Sequence, residues 1–381
     1  MARYDRVCLA AIGYGLPPEI VTSGDLERRL APLYERLKLP EGRLELITGV
    51  RERRFWAPGT LPGSISARTG QLALQAAGID PRHVGALIHG SVCRDHLEPA
   101  TACSVHHRLG LPDACQIFDV SNACLGLLTG AWQIANMIQL GQISAGLVVG
   151  TEGSRQLVET TIEALNADQQ LSRQDIKLAI ASLTIGSASC AMLLVDRELY
   201  PHGSPWLGGA VRANTVYHDL CQSGRDEAAA AGMQPLMRTE SERLLLEGVA
   251  TAAETFDELL TELGWDRSAL SKTVCHQVGP AHRRLLFDRL QLDPQIDFPT
   301  VEWLGNTGSV ALPVTLGRAA QEGHLAAGDT VGLLGIGSGI NCVMLGVEWQ
   351  SCAVLGWDAA TDRMIESVDE AGMRAAMPRN G

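Results

Sequence analysis

The chain has no Cys-x-x-Cys pair, no excess of positive charge, no apolar run long enough to span a bilayer, and few aromatic rings. Each lack removes a class of function. Ten scattered cysteines in an intracellular protein of this size argue for reduced thiols, not a disulfide frame or a zinc site. A formal net charge of −12 argues against non-specific binding to nucleic acid or anionic membranes. Met1-Ala2-Arg3-Tyr4-Asp5-Arg6 leads straight into a strand-like run without an apolar leader. The expectation is a cytoplasmic protein with no transmembrane segment. Five Phe and five Tyr leave any long apolar channel to be walled by aliphatic side chains. What remains is 46% hydrophobic residues and 40 glycines in 381, enough for two domains or one large duplicated one.

Taken in order, residues 7–12 read as a first strand. Ser23 is placed to cap a helix over about 24–37, with Asp25 and Glu27 in its first turn. The basic segment Arg51-Glu52-Arg53-Arg54 reads as a solvated face with cross-strand ion pairs. A helix over 64–77 and a strand over 83–89 follow. The pattern over 115–120 is a buried strand, and from Leu125 it becomes helical until Gly141. Residues 156–177 read as a polar helical cap broken at 166–168. Residues 200–211, with Pro201, Gly203 and Pro205, read as a linker. A long helix over 239–263 opens a second half. Beyond Trp349 no sheet pattern is legible.

The chain repeats itself. Seventeen positions separate Cys124 from Gly141, and seventeen separate Asn306 from Gly323. Each glycine is followed by a strand and a small-residue stretch, Gly150-Thr151-Glu152-Gly153-Ser154 in one half and Gly335-Ile336-Gly337-Ser338-Gly339 in the other. This count places Cys124 and Asn306 at equivalent helix starts of a duplicated, layered α/β fold. His89 and His276 close comparable strands in the two halves.

Cys124 sits where a strand feeds a helix, a position whose free N–H groups favour a thiolate. A buried cysteine that merely packs is the competing reading of that stretch. His276 taken alone reads as a structural strand-end histidine, and Asn306 as a helix cap. Together the three supply a nucleophile and two N–H donors able to hold a thioester carbonyl as it becomes an enolate. The 335–339 stretch lacks both the GxGxxG register and a P-loop lysine, so it does not read as a nucleotide site. Its backbone can offer an N–H beside that of Cys124. Glu98, before Pro99, reads as a loop carboxylate, with Arg94 or His96 as surface partners.

Three stretches carry a family resemblance: Val120-Ser121-Asn122-Ala123-Cys124-Leu125, Arg94-Asp95-His96-Leu97-Glu98-Pro99, and Leu334-Gly335-Ile336-Gly337-Ser338-Gly339-Ile340-Asn341-Cys342. On these, the chain resembles the thiolase superfamily in its 3-oxoacyl-ACP synthase III branch, from about Val7 to Trp349. Within that branch it is most similar to the OleA family of head-to-head acyl-condensing enzymes. The resemblance implies an α/β, thiolase-like, duplicated αβαβα fold. Residues 1–199 would form the half with the nucleophile and a cap insertion, 200–350 the half with His and Asn, and 351–381 a tail. It implies the catalytic set Cys124, His276 and Asn306, an oxyanion hole from the amides of Cys124 and Ser338, and a base, Glu98, reaching in from the partner subunit of a homodimer. The reaction it implies is Claisen condensation of two fatty acyl thioesters through an acyl-Cys, with no metal or cofactor and with acyl-CoA or acyl-ACP as substrate. The alternatives are a decarboxylating synthase III with a malonyl-ACP donor, and an inactive thiolase-fold scaffold. One departure stands out. Where the initiating synthases have Trp and Arg to grip coenzyme A, this chain has Arg43 and Ile47, so an acyl carrier protein is a further partner to consider.

Overall fold

The computed structural model describes residues 3–224 and 236–365. Eleven strands join in one hydrogen-bonded system. In the first half Gln116–Asp119, Val84–His89, Ala145–Glu152, Ala188–Asp196 and Val7–Leu16 lie side by side in that order. In the second, Lys272–Cys275, Thr330–Gly337, Asn341–Glu348 and Ser204–Ala213 do the same. The pairing senses repeat. Val84–His89 is parallel to Ala145–Glu152, which is antiparallel to Ala188–Asp196, itself antiparallel to Val7–Leu16. Lys272–Cys275, Thr330–Gly337, Asn341–Glu348 and Ser204–Ala213 pair in the same sequence of senses. The duplication read from the glycine spacing is therefore a property of the sheet.

Five layers result. The helices Gly126–Gln139 and Ala311–Gln321 lie in the middle, sharing one core with Ile88, Val148 and Met192 of one half and Val331, Leu333 and Val343 of the other. Neighbouring strand residues point to opposite faces, so Leu193 packs outward on Ala73 and Leu74 of the helix Pro62–Ala77 while Met192 packs inward. Both faces of each sheet are covered, and the central strands are apolar without alternation. Ser241–Leu263 and Pro280–Leu290 cover the outer face of the second half. The helices Ser23–Arg29, Ala31–Leu37 and Arg155–Ala167 form a separate cap with its own core of Leu26, Leu30, Leu33, Val158 and Ile162.

Four local expectations need correction. Residues 200–211 are no linker: Ser204–Ala213 is the second half's counterpart of Val7–Leu16. Its glycines mark close strand approach, since a Cβ on Gly209 would stand 1.9 Å from the Met344 carbonyl. The tail is not without sheet: Ala353–Asp358 runs parallel to residues 11–16, and Arg363–Ile365 pairs with it. Residues 366–381 lie outside the described residues. The first cap is Thr22, in a reciprocal capping box with Asp25, while Ser23 donates to the Val50 carbonyl at 2.5 Å. Leu30 interrupts the helix expected over 24–37, and the next one starts at Ala31 with a proline in its first turn.

Candidate active site

A tight 3₁₀ turn, Ala123–Leu125, joins the strand Gln116–Asp119 to the central helix Gly126–Gln139. Ala123 has φ +44°, a left-handed conformation uncommon for a residue with a side chain. Gly126 cannot carry a side chain, because its Cβ would lie 1.7 Å from the Gly90 carbonyl. Between them Cys124 is half-buried. Its electrostatics differ from the sequence expectation. Burial first, then the charges of Cys221 and Glu152, push the thiol up to about 12, and its own backbone amide opposes them only in part. One 3₁₀ turn supplies too little dipole to offset desolvation. At rest the Cys124 side chain is a thiol.

The strand Thr330–Gly337 ends against this turn. A Cβ on Gly337 would stand 3.6 Å from the Cys124 amide nitrogen. Asn341 Nδ2 donates to Asn122 Oδ1 at 3.0 Å and to the Ser338 carbonyl at 3.4 Å. Asn122 Nδ2 donates in turn to Thr129 Oγ1 at 2.9 Å on the central helix. The Ser338 turn and the Cys124 turn are thus laced together, side by side.

His276 follows the strand Lys272–Cys275, its amide donating to the Leu334 carbonyl at 3.1 Å. Three residues separate Leu334 from Gly337, about 10 Å of strand. His276 therefore lies beside the strand whose end meets the Cys124 turn. Its ring is buried, and Nδ1 has no hydrogen-bond partner among the described residues. Asn306 sits in extended backbone, exchanging hydrogen bonds with Thr184 and Gly186 at 2.9 Å. Its Oδ1 accepts from the Gly308 amide at 3.0 Å, which fixes the carboxamide and leaves Nδ2 as its donor end. The following turn, Gly308–Val310, packs on Ala123–Leu125. So Cys124, Ser338, His276 and Asn306 are brought to one place. Glu98 does not join them within one chain. It is exposed on the loop over 90–100 and pairs with no described side chain. Arg94 turns instead to Asp119, at 3.5 Å, which also accepts from the amides of Thr101 and Ala102.

The equivalence of Cys124 and Asn306 is inexact. Ala145–Glu152 matches Thr330–Gly337, and Ala123–Leu125 matches Gly308–Val310, at one constant offset that sets Cys124 opposite Ser309. The second helix is three residues shorter, so counting back from Gly323 lands on Asn306. The same register sets His276 opposite Gly90, not His89, because their amides bond to the matching carbonyls of Leu334 and Val149.

Several supporting residues escaped the sequence reading. Gln277 accepts from the amides of Thr300 and Val301 at 2.8 and 3.1 Å and donates to the Cys275 carbonyl at 2.8 Å. It clamps the His276 strand to the segment leading to Asn306. Its place beside His276 was the available signal. Arg53 was expected on a solvated face and is fully buried. It donates to the carbonyls of Val21 and Leu183 and to Ser23 Oγ, and Gly186 and Gly305 pack on its stem. Burial pushes its pKa down to about 10. Of its neighbours, Arg51 is exposed and pairs with Glu302, while Arg54 is mostly buried and pairs with Asp358; neither pair crosses to the neighbouring strand Glu19–Thr22, so the expected cross-strand pairs are absent there among the described residues. Arg43 and Ile47 are both exposed on the short helix Arg43–Thr48.

The buried histidines set an acid limit. Burial first, then His282, pushes His276 down to about 3, and burial pushes His282 down to about 4. Burial also lowers His89, against the pull of Asp119. Unfolded imidazole titrates near 6.5. Each folded pKa lies below that, so under pH ~6.5 the unfolded chain binds more protons than the folded one. This stability is whole above pH ~6.5 and is lost as pH falls toward the folded values. Tm is expected to be level near pH 7–8 and to fall steadily below about 6.5, as the unfolding free energy drops by on the order of 1.4 kcal/mol per histidine per pH unit. A Tm that stays constant down to pH ~5 would refute buried, neutral imidazoles.

Comparison with known proteins places this geometry. Residues 60–193 match the thiolase N-terminal domain, and residues 260–349 match the C-terminal domain of 3-oxoacyl-[acyl-carrier-protein] synthase III. An acyl-CoA:acyl-CoA alkyltransferase of Shewanella oneidensis is 41% identical over 350 residues, covering 91% of this chain and 100% of that protein. Its namesake in Xanthomonas campestris is 33% identical, covering 91% and 99%. A crystal structure of Xanthomonas campestris OleA with bound lauric acid and lauroyl-CoA superposes with a TM-score of 0.85 at 32% identity, over 91% of this chain and 100% of that one. At that identity and coverage the chain belongs to the acyl-CoA:acyl-CoA alkyltransferase (OleA) family of the thiolase superfamily.

Proposed function

We propose that this protein joins two fatty acyl-CoA molecules head to head by a non-decarboxylative Claisen condensation. The observation that supports the reading is the lacing of the Cys124 and Ser338 turns, which brings the two turns side by side next to the Cys124 thiol. Cys124 sulfur attacks the first acyl-CoA carbonyl, and the amides of Cys124 and Ser338 hold the oxyanion. The new S–C bond replaces the bond to coenzyme A, and the thiol proton leaves on the coenzyme A sulfur. The second acyl-CoA then binds with its carbonyl toward His276 and Asn306 Nδ2. A neutral imidazole and a carboxamide donate hydrogen bonds without adding positive charge, which suits an enolate forming on a buried carbonyl. Glu98, supplied by the partner subunit of a homodimer, takes the α-proton. The carbanion attacks the acyl carbon, Cys124 thiolate departs and is reprotonated, and a 3-oxoacyl-CoA remains.

These steps use side chains, backbone amides and the thioesters themselves. Residues 1–199 supply the nucleophile and the cap, and residues 200–350 supply His276 and Asn306. Coenzyme A is the carrier in the names of both relatives. Exposed Arg43 and Ile47 replace the usual grip on it, so binding should rely less on a stacked adenine.

Product analysis tests the reading. Long-chain acyl-CoA alone is expected to yield a 3-oxoacyl product with two alkyl chains. Turnover only when a malonyl thioester is added would sink it in favour of the decarboxylating reaction.

A further inference from the structure

The duplication sets Glu152 opposite Gly337. Each ends the matching strand of its half, and each meets the turn that opens a central helix. In the second half the position is glycine, and the bare backbone leaves space beside Cys124. In the first half a carboxylate occupies that space beside Ser309, the counterpart of Cys124. The two strand ends are alike in backbone and opposite in chemistry.

Glu152 is 5% exposed and fully engaged. Its Oε1 accepts from Ser309 Oγ at 2.5 Å, the Ser309 amide at 3.3 Å and the Val92 amide at 3.0 Å. Its Oε2 accepts from the Cys93 amide at 3.4 Å. Its main-chain carbonyl accepts from Trp56 Nε1 at 3.1 Å. Gly308 is shaped to fit it: φ is +57°, and a Cβ there would stand 3.2 Å from the carboxylate. Val92 and Cys93 begin the loop that carries Glu98. Gly308 and Ser309 follow Asn306, and the Gly308 amide orients the Asn306 carboxamide. One buried carboxylate therefore holds two segments that are far apart in sequence and belong to different halves.

We propose that Glu152 is a positioning residue for the condensation step, joining the Asn306 turn of one site to the loop that presents Glu98 to the partner's site. The assignment rests on the proposed function for what Glu98 and Asn306 do. A neutral amide could accept at one oxygen only, and its NH2 would face the amides of Val92 or Cys93. Both segments would shift. Acylation needs neither Asn306 nor Glu98, so it should be affected much less than condensation.

The experiment compares Glu152→Gln and Glu152→Asp in the full chain. For Glu152→Gln, condensation kcat is expected to fall about a hundredfold, the loss typical of misplacing a catalytic group by an ångström. Single-turnover acylation of Cys124 is expected to fall less than about threefold, and Glu152→Asp, which keeps the charge, should recover part of kcat. A second readout needs no substrate. Glu152 and Cys221 are the titratable groups whose charges reach Cys124, and Glu152 opposes the thiolate. Alkylation of Cys124 by iodoacetamide should move to lower pH in Glu152→Gln and stay in place in Glu152→Asp. Parent-like kcat, or equal loss of acylation and condensation, overturns the proposal. If the parent condenses only with malonyl donors, the function is wrong, yet the alkylation profile still reports on Glu152. An unshifted profile counts against it.

Discussion

Cys124→Ala is expected to abolish covalent acylation and to cut condensation by about 10⁴-fold or more, the loss typical of deleting a nucleophile. The sulfur is the one atom in the proposed scheme that bonds to the acyl group. Alanine keeps the Ala123 turn and the close approach of Gly126 to Gly90, so Tm should stay near the parent value. Intact-mass spectrometry after incubation with long-chain acyl-CoA gives the answer directly. The parent gains one acyl group per chain, and the variant gains none. A fully labelled variant would move the nucleophile elsewhere. A parent chain that never gains acyl mass would point to an idle scaffold.

Glu98→Ala separates the two stages. Acylation should persist, while condensation of two unactivated acyl-CoA molecules falls by about 10²- to 10⁴-fold, the range for loss of a positioned base. A malonyl donor creates its carbanion by losing CO2 and needs no such base, so added malonyl-CoA would bypass the defect if the site admits it. The exposure of Glu98, with no partner among the described residues, suits a group meant for a neighbouring subunit. That geometry has a sharp consequence. With Glu98 acting in trans, Cys124→Ala and Glu98→Ala should each be inactive alone, yet a mixed dimer would hold one complete site, with Cys124 from one chain and Glu98 from the other. Mixing the two variants under subunit exchange should restore up to half the parent activity per heterodimer. No recovery, with exchange verified, would place Glu98 in its own chain's site or remove it from the chemistry. Light scattering that finds only monomer at micromolar concentration would exclude any contribution in trans.

Much of this architecture was legible in the amino-acid order because it was local or repeated. The apolar run after Cys124 and the glycines that stop both central helices, with φ +70° and +72°, are backbone signals that do not depend on distant partners. They were enough to reveal the duplication and to bring Cys124, His276 and Asn306 into view. Composition misled where glycine and proline served packing instead of turns. Ser204–Ala213 looked like a linker because its small residues allow strands to approach closely, a need set by Met344 and Leu345 on another strand. Ala353–Asp358 carried no alternation of its own, since it became a strand only by pairing with residues 11–16. Charge was decided later still. A helix start promised a thiolate, but burial and the carboxylate of Glu152 keep Cys124 a thiol. A basic run promised a solvated face, but Arg53 is held inside by the carbonyls of Val21 and Leu183. Local order determines which groups are present and which helices and strands can form. The field each group feels depends on what folding packs around it, and only the tertiary structure decides that.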